Sequence, residues 1–424
     1  MALPPSRAHS HPPSNIETLI KQRAYSLGFD LVGITSAEPS AFAAEYRNWI
    51  ANGYAGKMEY LARNPERRTD PRMLLPNARS IIVVGMNYYV REEGRGKREE
   101  GESGGEHVPL PSWERLGEGE SGRQGVLPTV DETLRPTTYD LRPGEAVFAR
   151  YARGDDYHDV MEVRLRKLLD YLKAEAGPDA DGRVYVDTGP ILEREAAQRA
   201  GLGWFGKNTM LINTRRGSYF FLGEIVTNVP LNLDEPAVGG CGTCTRCLDA
   251  CPTNAFVAPF VLDSRRCISY LTIELKDQIP EELVPVIGAA GNRVYGCDIC
   301  QEVCPINRTH LASRHPTLYP TEEPAFQPRD VTTNSKVTDL LYMTDEDFRE
   351  KFKGSPVKRA KRRGLLRNAT AALSSRDDAE AIAALEHALN DPEQLVSDAA
   401  AAALEQIRAR HAAKTTIHSP DNNG

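Results

Sequence analysis

Apolar residues recur at helical spacing in NIETLIKQRAYSL (15–27), where Ile16, Leu19, Ile20 and Ala24 share one face. LVGIT (31–35) follows across a glycine and reads as a short strand, and a second helical stretch is expected over about 41–63. SIIVVGMNYY (80–89) is apolar at successive positions and reads as a buried strand. Residues 155–175 predict a long amphipathic helix, opened by Asp155 and Asp156 and closed by Gly177. RVYVDT (183–188) and SYFFLGEIVT (218–227) read as two further strands. This alternation of helix and strand predicts a layered α/β or α+β domain.

Two regions depart from that pattern. Residues 91–126 hold nine Gly and nine Glu in 36 positions and little that could form a core. A disordered insertion is expected there, with linker extending to about 145. Residues 355–410 form three Ala/Leu-rich helical units, broken at SRDD and at NDP. Stacked helix pairs of the HEAT type have this appearance. The tail after about 412 is expected to fray.

With 424 residues, 40% of them hydrophobic and 26% charged, the chain has room for two or three domains of ordinary globular composition. Its longest apolar runs, such as Ile81–Val84, are too short to span a membrane. The first residues, MALPPSRAHSHPPSN, carry neither an apolar signal core nor a twin arginine, so a cytoplasmic chain is expected. Nothing demands an oligomer, and a monomer is the expectation. The net charge of −7 means that a nucleic-acid partner would have to meet a local basic patch.

All eight cysteines fall between 241 and 304. In a cytoplasmic setting such clustering points to metal or redox chemistry rather than disulfides. Cys241-x2-Cys244-x2-Cys247-x3-Cys251-Pro is the bacterial ferredoxin run, in which the fourth cysteine serves the other cluster. Cys297-x2-Cys300-x3-Cys304-Pro is the same run with one ligand missing, and Cys267 remains to replace it. A crossed assignment then uses every thiol. Cys241, Cys244, Cys247 and Cys304 hold one [4Fe–4S] cluster, and Cys251, Cys267, Cys297 and Cys300 hold the other. Structural zinc also uses Cys-x2-Cys pairs, but it has less need of a third and fourth cysteine on one tight turn before a proline.

Two clusters move electrons singly, so the rest of the chain should contain an acceptor. No GxGxxG follows a strand and no P-loop lysine motif is present. Instead, ARYARGDDYHDVM (149–161), VDTGPILEREAA (186–197) and GLGWFGKNTMLI (201–212) are unusually rich in Gly, aromatic and charged residues. Together with RRCISYLTIE (265–274), RRTDPRMLLPNARSIIVVGMNYY (67–89) and the cysteine run, they resemble the epoxyqueuosine reductases. The resemblance covers about 15–90 and 145–310, plus a C-terminal helical repeat found in part of that family.

The resemblance implies the α+β form, with a nitroreductase-like cobalamin-binding domain (15–238, with the insertion at about 91–145), a two-cluster ferredoxin-like domain (239–310) and HEAT-like repeats (345–412). It implies removal of the epoxide oxygen of epoxyqueuosine at the tRNA wobble position, the last step of queuosine biosynthesis. The partners would be tRNA carrying epoxyqueuosine and an unidentified electron donor. Reductive dehalogenases are the mechanistic relatives, and a dehalogenase-like reductase of a small molecule is the rival reading. A bare electron carrier would leave most of the chain without a role.

By the same resemblance, Asp187 is the proton donor to the epoxide oxygen, with a raised pKa expected beside the cofactor in apolar surroundings. From the residues alone it could equally cap the next helix. Arg68, Arg150, Tyr151, Leu211, Leu222, Ser269, Val294 and Tyr295 are implied as cobalamin contacts, with Asp187 among them. For each arginine a surface ion pair is the plain alternative. Lys358, Arg359, Lys361, Arg362, Arg363 and Arg367 form a basic cluster that could track tRNA phosphates or simply line a solvated helix face.

Overall fold

Strand Ser80–Asn87 is buried at every position, because both of its faces are covered. Its even residues Ile82, Val84 and Met86 enter one hydrophobic layer, and Ile81 and Val83 enter the other, as the two-residue period of a strand requires. The structure is a computed structural model that describes residues 15–91, 144–307 and 319–417. The expected insertion and the extreme tail fall largely outside the described residues. Among these residues no helix is long and apolar enough to cross a membrane.

Four strands form an antiparallel sheet in the order Leu31–Ser36, Ser80–Asn87, Phe220–Thr227, Gly182–Tyr185. Helices Ile16–Ser26 and Tyr157–Ala176 cover one face through Ile20, Ala24, Leu165 and Leu168. Helix Glu193–Arg199 covers the other through Ala196 and Ala197. The α+β reading therefore holds. The strand expected at 183–188 stops at Tyr185, which leaves Asp187 in the turn beyond the sheet edge. The helix expected over 41–63 is broken into Ala43–Ala51 and Glu59–Ala62. Gly53 and Gly56 between them have φ of 71° and 58°. A Cβ on Gly56 would lie 2.6 Å from the Tyr270 hydroxyl, so the chain must pass tightly there against the cysteine-bearing region.

That region is built from short helices, Arg246–Asp249, Ile268–Ile273 and Ile299–Glu302. Three helices end the described chain: Lys361–Leu373, Ala379–Ala388 and Gln394–Ile417. Their core is continuous with Phe148, Val294 and Tyr295. Asn368 ties them further, donating to Thr272 O at 2.7 Å and Val294 O at 2.8 Å.

Two of the six residues of the basic cluster, Arg362 and Arg367, are taken up by this packing, while Lys358, Arg359 and Lys361 stay exposed. Arg367 is 1% exposed. It donates to the carbonyls of Leu271, Leu275 and Asp277 and to Asn368 Oδ1. Arg362 donates to Met343 O at 2.7 Å and pairs with Asp391. Neither can reach a phosphate. We expect Arg367→Ala to lose about 3 kcal/mol or more, because several buried acceptors lose their donor at once. A lowered thermal midpoint with unchanged salt dependence of RNA binding would verify this structural role.

Candidate active site and cysteine centre

Asp156 caps the 20-residue helix Tyr157–Ala176, accepting from His158 N–H at 3.2 Å. This places Tyr157 and His158 in the first turn. Both converge on Asp187 from the neighbouring strand end. The Tyr157 hydroxyl donates to Asp187 Oδ2 at 2.7 Å. His158 Nε2 lies 3.7 Å from the same oxygen, an ion pair just short of a hydrogen bond. His158 Nδ1 lies 2.7 Å from Asp156 Oδ1, and Lys358 Nζ lies 3.0 Å from Asp156 Oδ2. The result is a chain of alternating charge: Lys358, Asp156, His158, Asp187.

Asp187 itself has φ of +54°, and Thr188 N–H donates to Val186 O at 2.5 Å across it. This is a tight three-residue turn in a conformation that a non-glycine residue adopts only when its surroundings impose it. The side chain is 56% exposed, so the carboxylate is held by Tyr157 and His158 and still open on one side, in what we call the recess.

The electrostatics reverse one expectation. Burial pushes the Asp187 carboxyl up, but His158 and Tyr157, helped by the charge of Arg359, outweigh it and hold the group below its ordinary value. Burial pulls His158 down, but Asp156 and Asp187 outweigh it and raise the imidazole to about 9. At neutral pH the proton therefore rests on His158, not on Asp187. The expected raised pKa of Asp187 is corrected accordingly for the protein alone.

Aromatic rings connect this recess to the cysteine region. Phe221 stacks on Tyr157 at 4.1 Å, and Tyr151 lies 6.2 Å from Tyr157 and 6.3 Å from Tyr295. Tyr295 is fully buried, donates to Pro356 O at 2.7 Å and sits two residues before Cys297. Arg68 approaches the Asp187 loop through a long 3.4 Å contact to Gly189 O, and its Nε is buried without a partner among the described residues. Arg359 pairs with Glu274 at 2.6 Å while its charge is felt at Asp187 and Tyr60. Ser269 is half-buried beside Cys267.

Other implied cofactor contacts are not gathered around Asp187. The Arg150 guanidinium lies over Tyr219 at 5.6 Å and Tyr89 at 5.9 Å. Leu211 is buried in the layer under helix Glu193–Arg199, and half-buried Leu222 packs against that layer. Val294 is fully buried in the core shared with the C-terminal helices. A cavity of about 510 Å³ lined by Gly28, Asp30, Arg164 and Arg216 shares no residue with the recess and bears on none of this chemistry.

The eight thiols are unpaired by disulfides and fall into two groups. Cys247 faces Cys241, Cys304 and Cys244, while Cys300 faces Cys297, Cys267 and Cys251. The last cysteine of each run, Cys251 and Cys304, thus lies with the opposite group. Backbone N–H groups point at several sulfurs. Ala255 N–H reaches Cys251 at 3.3 Å and Lys207 N–H reaches Cys241 at 3.5 Å. Ser269 and Tyr270 serve Cys267, Ile299 serves Cys297, and Ile306 and Asn307 serve Cys304. Such donors favour thiolates bound to a cluster. Burial pushes the free Cys247 thiol up to about 11 and Cys297 up to about 12, so cluster assembly must release protons. Among the described residues no three His, Cys, Asp or Glu side chains are spaced for a single metal ion. A cubane, which spreads four thiolates over four irons, asks for wider spacing.

Sequence reasoning missed Tyr157, His158 and Glu193, although each lies in a quoted motif. It also missed Glu224, whose signal was a lone carboxylate inside the apolar run SYFFLGEIVT.

The fold and the two cysteine groups define an iron–sulfur redox protein, with an Asp187–His158–Tyr157 cluster joined to them through Tyr151 and Tyr295. Residues 240–307 match the family model described as 4Fe-4S double cluster binding domain, and 131–188 match Epoxyqueuosine reductase QueG, DUF1730. The chain is 38% identical over 395 residues to an epoxyqueuosine reductase of Xanthomonas campestris, covering 93% of this chain and 97% of that protein. It is 39% identical over 365 residues to that of Pseudomonas aeruginosa, covering 86% of each. A crystal structure of epoxyqueuosine reductase with an epoxyqueuosine-modified tRNA-Tyr stem loop superposes with TM-score 0.73 at 30% identity, covering 96% of both chains. A Bacillus subtilis structure, described as having its catalytic aspartate loop swung out of the active site, matches at the same TM-score of 0.73, 30% identity and 96% coverage of both. This chain belongs to the epoxyqueuosine reductase family.

The His158 assignment has a measurable consequence. Its folded pKa is raised, so the stability it contributes is fully present below its ordinary 6.5 and is lost as pH rises through about 9. The imidazole resonances should titrate near the upper value, and His158→Gln should flatten the thermal midpoint across that window.

Proposed function

We propose that this chain reduces the epoxide of epoxyqueuosine at the tRNA wobble position to give queuosine, with Asp187 delivering protons to the epoxide oxygen. The observation that carries this reading is the accessible Asp187 carboxylate, clamped by Tyr157 and by a protonated His158 next to a cysteine centre. The reaction breaks both C–O bonds of the epoxide, forms a carbon–carbon double bond, consumes two electrons and two protons, and releases water.

The recess fits cobalamin. Tyr151 and Tyr60 lie near enough to Asp187 to feel its charge, and Arg68 Nε is a buried donor without a partner among the described residues, suited to the amide-rich rim of a corrin. Arg68, Tyr151, Tyr295 and Ser269 are the residues we assign to hold it, with Arg150, Leu211, Leu222 and Val294 as supports behind them. When bound, cobalamin supplies a low-valent cobalt centre that is strongly nucleophilic and reducing. The protein contributes position and protons. His158 Nε2 passes its proton to Asp187 Oδ2, and Asp187 passes it to the substrate oxygen. Tyr157 holds the carboxylate oriented throughout.

Cys251, Cys267, Cys297 and Cys300 would hold the cluster nearer this recess, since Tyr295 joins that group to Tyr151. Cys241, Cys244, Cys247 and Cys304 would hold the outer cluster, facing an external electron donor. Lys358 and Arg359, both partly exposed at the recess, are better placed to meet an RNA backbone than the buried Arg362 and Arg367. We read the chain as a cobalamin domain (15–238), a two-cluster domain (239–310) and HEAT-like repeats (345–412), acting as a cytoplasmic monomer.

Anaerobic turnover of protein reconstituted with iron, sulfide and cobalamin tests the function. The modified nucleoside should lose the mass of one oxygen. Asp187→Asn should lower kcat by about 100-fold or more while leaving KM for the tRNA nearly unchanged. An unchanged mass, in protein that holds both clusters and cobalt, would refute the reading.

The crossed cluster assignment has its own test in double variants. Cys241→Ser with Cys304→Ser should keep half of the iron, because both changes strike one cluster. Cys297→Ser with Cys304→Ser should lose nearly all of it. An uncrossed arrangement would give the reverse.

A further inference from the structure

A second group of carboxyls lies behind Asp187. Glu224, in strand Phe220–Thr227, is 0% exposed. Leu222 and Val226 face the layer under helix Glu193–Arg199, so Glu224 between them points into it as well. Glu193 opens that helix, and the two carboxyls face each other within hydrogen-bonding range. Neither oxygen of Glu224 and not Oε1 of Glu193 meets any donor among the described residues. The backbone N–H of Asp187 is directed at the Glu193 carboxyl. The other charged or titratable groups facing the pair are Asp187, Arg194 and Tyr157.

Two facing carboxylates with three buried oxygens that meet no donor cannot both be ionised. A proton between them satisfies the oxygens that the protein leaves unpaired. It also removes negative charge from beside Asp187. With one proton shared, the pair carries a single negative charge instead of two, beside the Lys358, Asp156, His158 and Asp187 charges, which balance among themselves. With the pair ionised, repulsion would drive the Asp187 carboxylate away, on a turn already held at φ +54°.

We propose that Glu193 and Glu224 share a proton at neutral pH and act as positioning residues, holding the Asp187 loop through its N–H and keeping its carboxylate in the recess. This rests on the reading of Asp187 given above. Burial, with the nearby Asp187 charge, raises Glu193 to about 8, and burial with the facing Glu193 carboxyl raises Glu224 well above its ordinary value. The active, protonated pair is thus present below that value and lost above it.

The test uses the full-length reconstituted enzyme and the Glu193→Gln/Glu224→Gln double variant, whose amides cannot ionise at any pH. Infrared spectra of wild type at pH 7 should contain a protonated carboxylic acid band that the double variant lacks. The alkaline limb of kcat should move from near 8 in wild type to near 9, where His158 loses its proton, with KM unchanged. If the double variant does not fold, the single Glu224→Gln variant carries the infrared comparison, with a reduced band expected. No acid band in wild type, or an alkaline limb that does not move, would overturn the proposal. Should wild type fail to turn over epoxyqueuosine at all, the functional reading falls while the infrared spectra still decide whether the pair holds a proton.

Discussion

A carboxylate fixed at the start of a long helix is the point on which this molecule depends. Asp187 leaves the edge of the sheet in a turn that its backbone would not choose, and only its partners keep it there. Tyr157 and His158 come from the first turn of helix Tyr157–Ala176, where the helix dipole also favours negative charge. The far side of that helix is anchored by Leu165, Leu168 and Leu172 against the sheet. A rigid core thereby sets the position of one reactive oxygen. The same clamp places the mobile proton on His158, because two carboxylates stabilise the imidazolium more than burial opposes it.

The remaining walls come from distant parts of the chain. Tyr295 belongs to the cysteine region, yet its hydroxyl is held by Pro356 from the C-terminal part. Arg359 and Lys358 reach the recess from that same segment. Arg367 and Asn368 lock helix Lys361–Leu373 onto the backbone of 271–277 and 294. The C-terminal helices therefore help build the site's frame instead of hanging beside it. The cysteine groups lie behind Tyr295, and the ionisable side chains His158 and Asp156 lie behind Asp187.

Much of this was legible in the residues. Continuous apolar runs marked the central strands, since both sheet faces are covered. Cysteine spacing carried the cluster chemistry because ligands on one tight turn leave few alternatives. Asp187 was visible through its motif. Its clamp was harder to see: Tyr157 and Asp187 meet only because a helix start and a strand end are packed together. Glu224 looked like one polar residue in a strand, and its meaning depends on Glu193 facing it across a helix–sheet interface. The basic cluster divides in a way its charge alone could not reveal. Arg362 and Arg367 are buried, while Arg359 sits on the preceding short 3-10 turn and its charge reaches Asp187.

The most direct test of the central claim is a structure of the loaded enzyme bound to an epoxyqueuosine-carrying tRNA stem loop. The epoxide oxygen should lie within hydrogen-bonding distance of the Asp187 carboxyl, with Tyr157 and His158 still in contact behind it. An epoxide oxygen turned away from Asp187 and served by another donor would contradict the account.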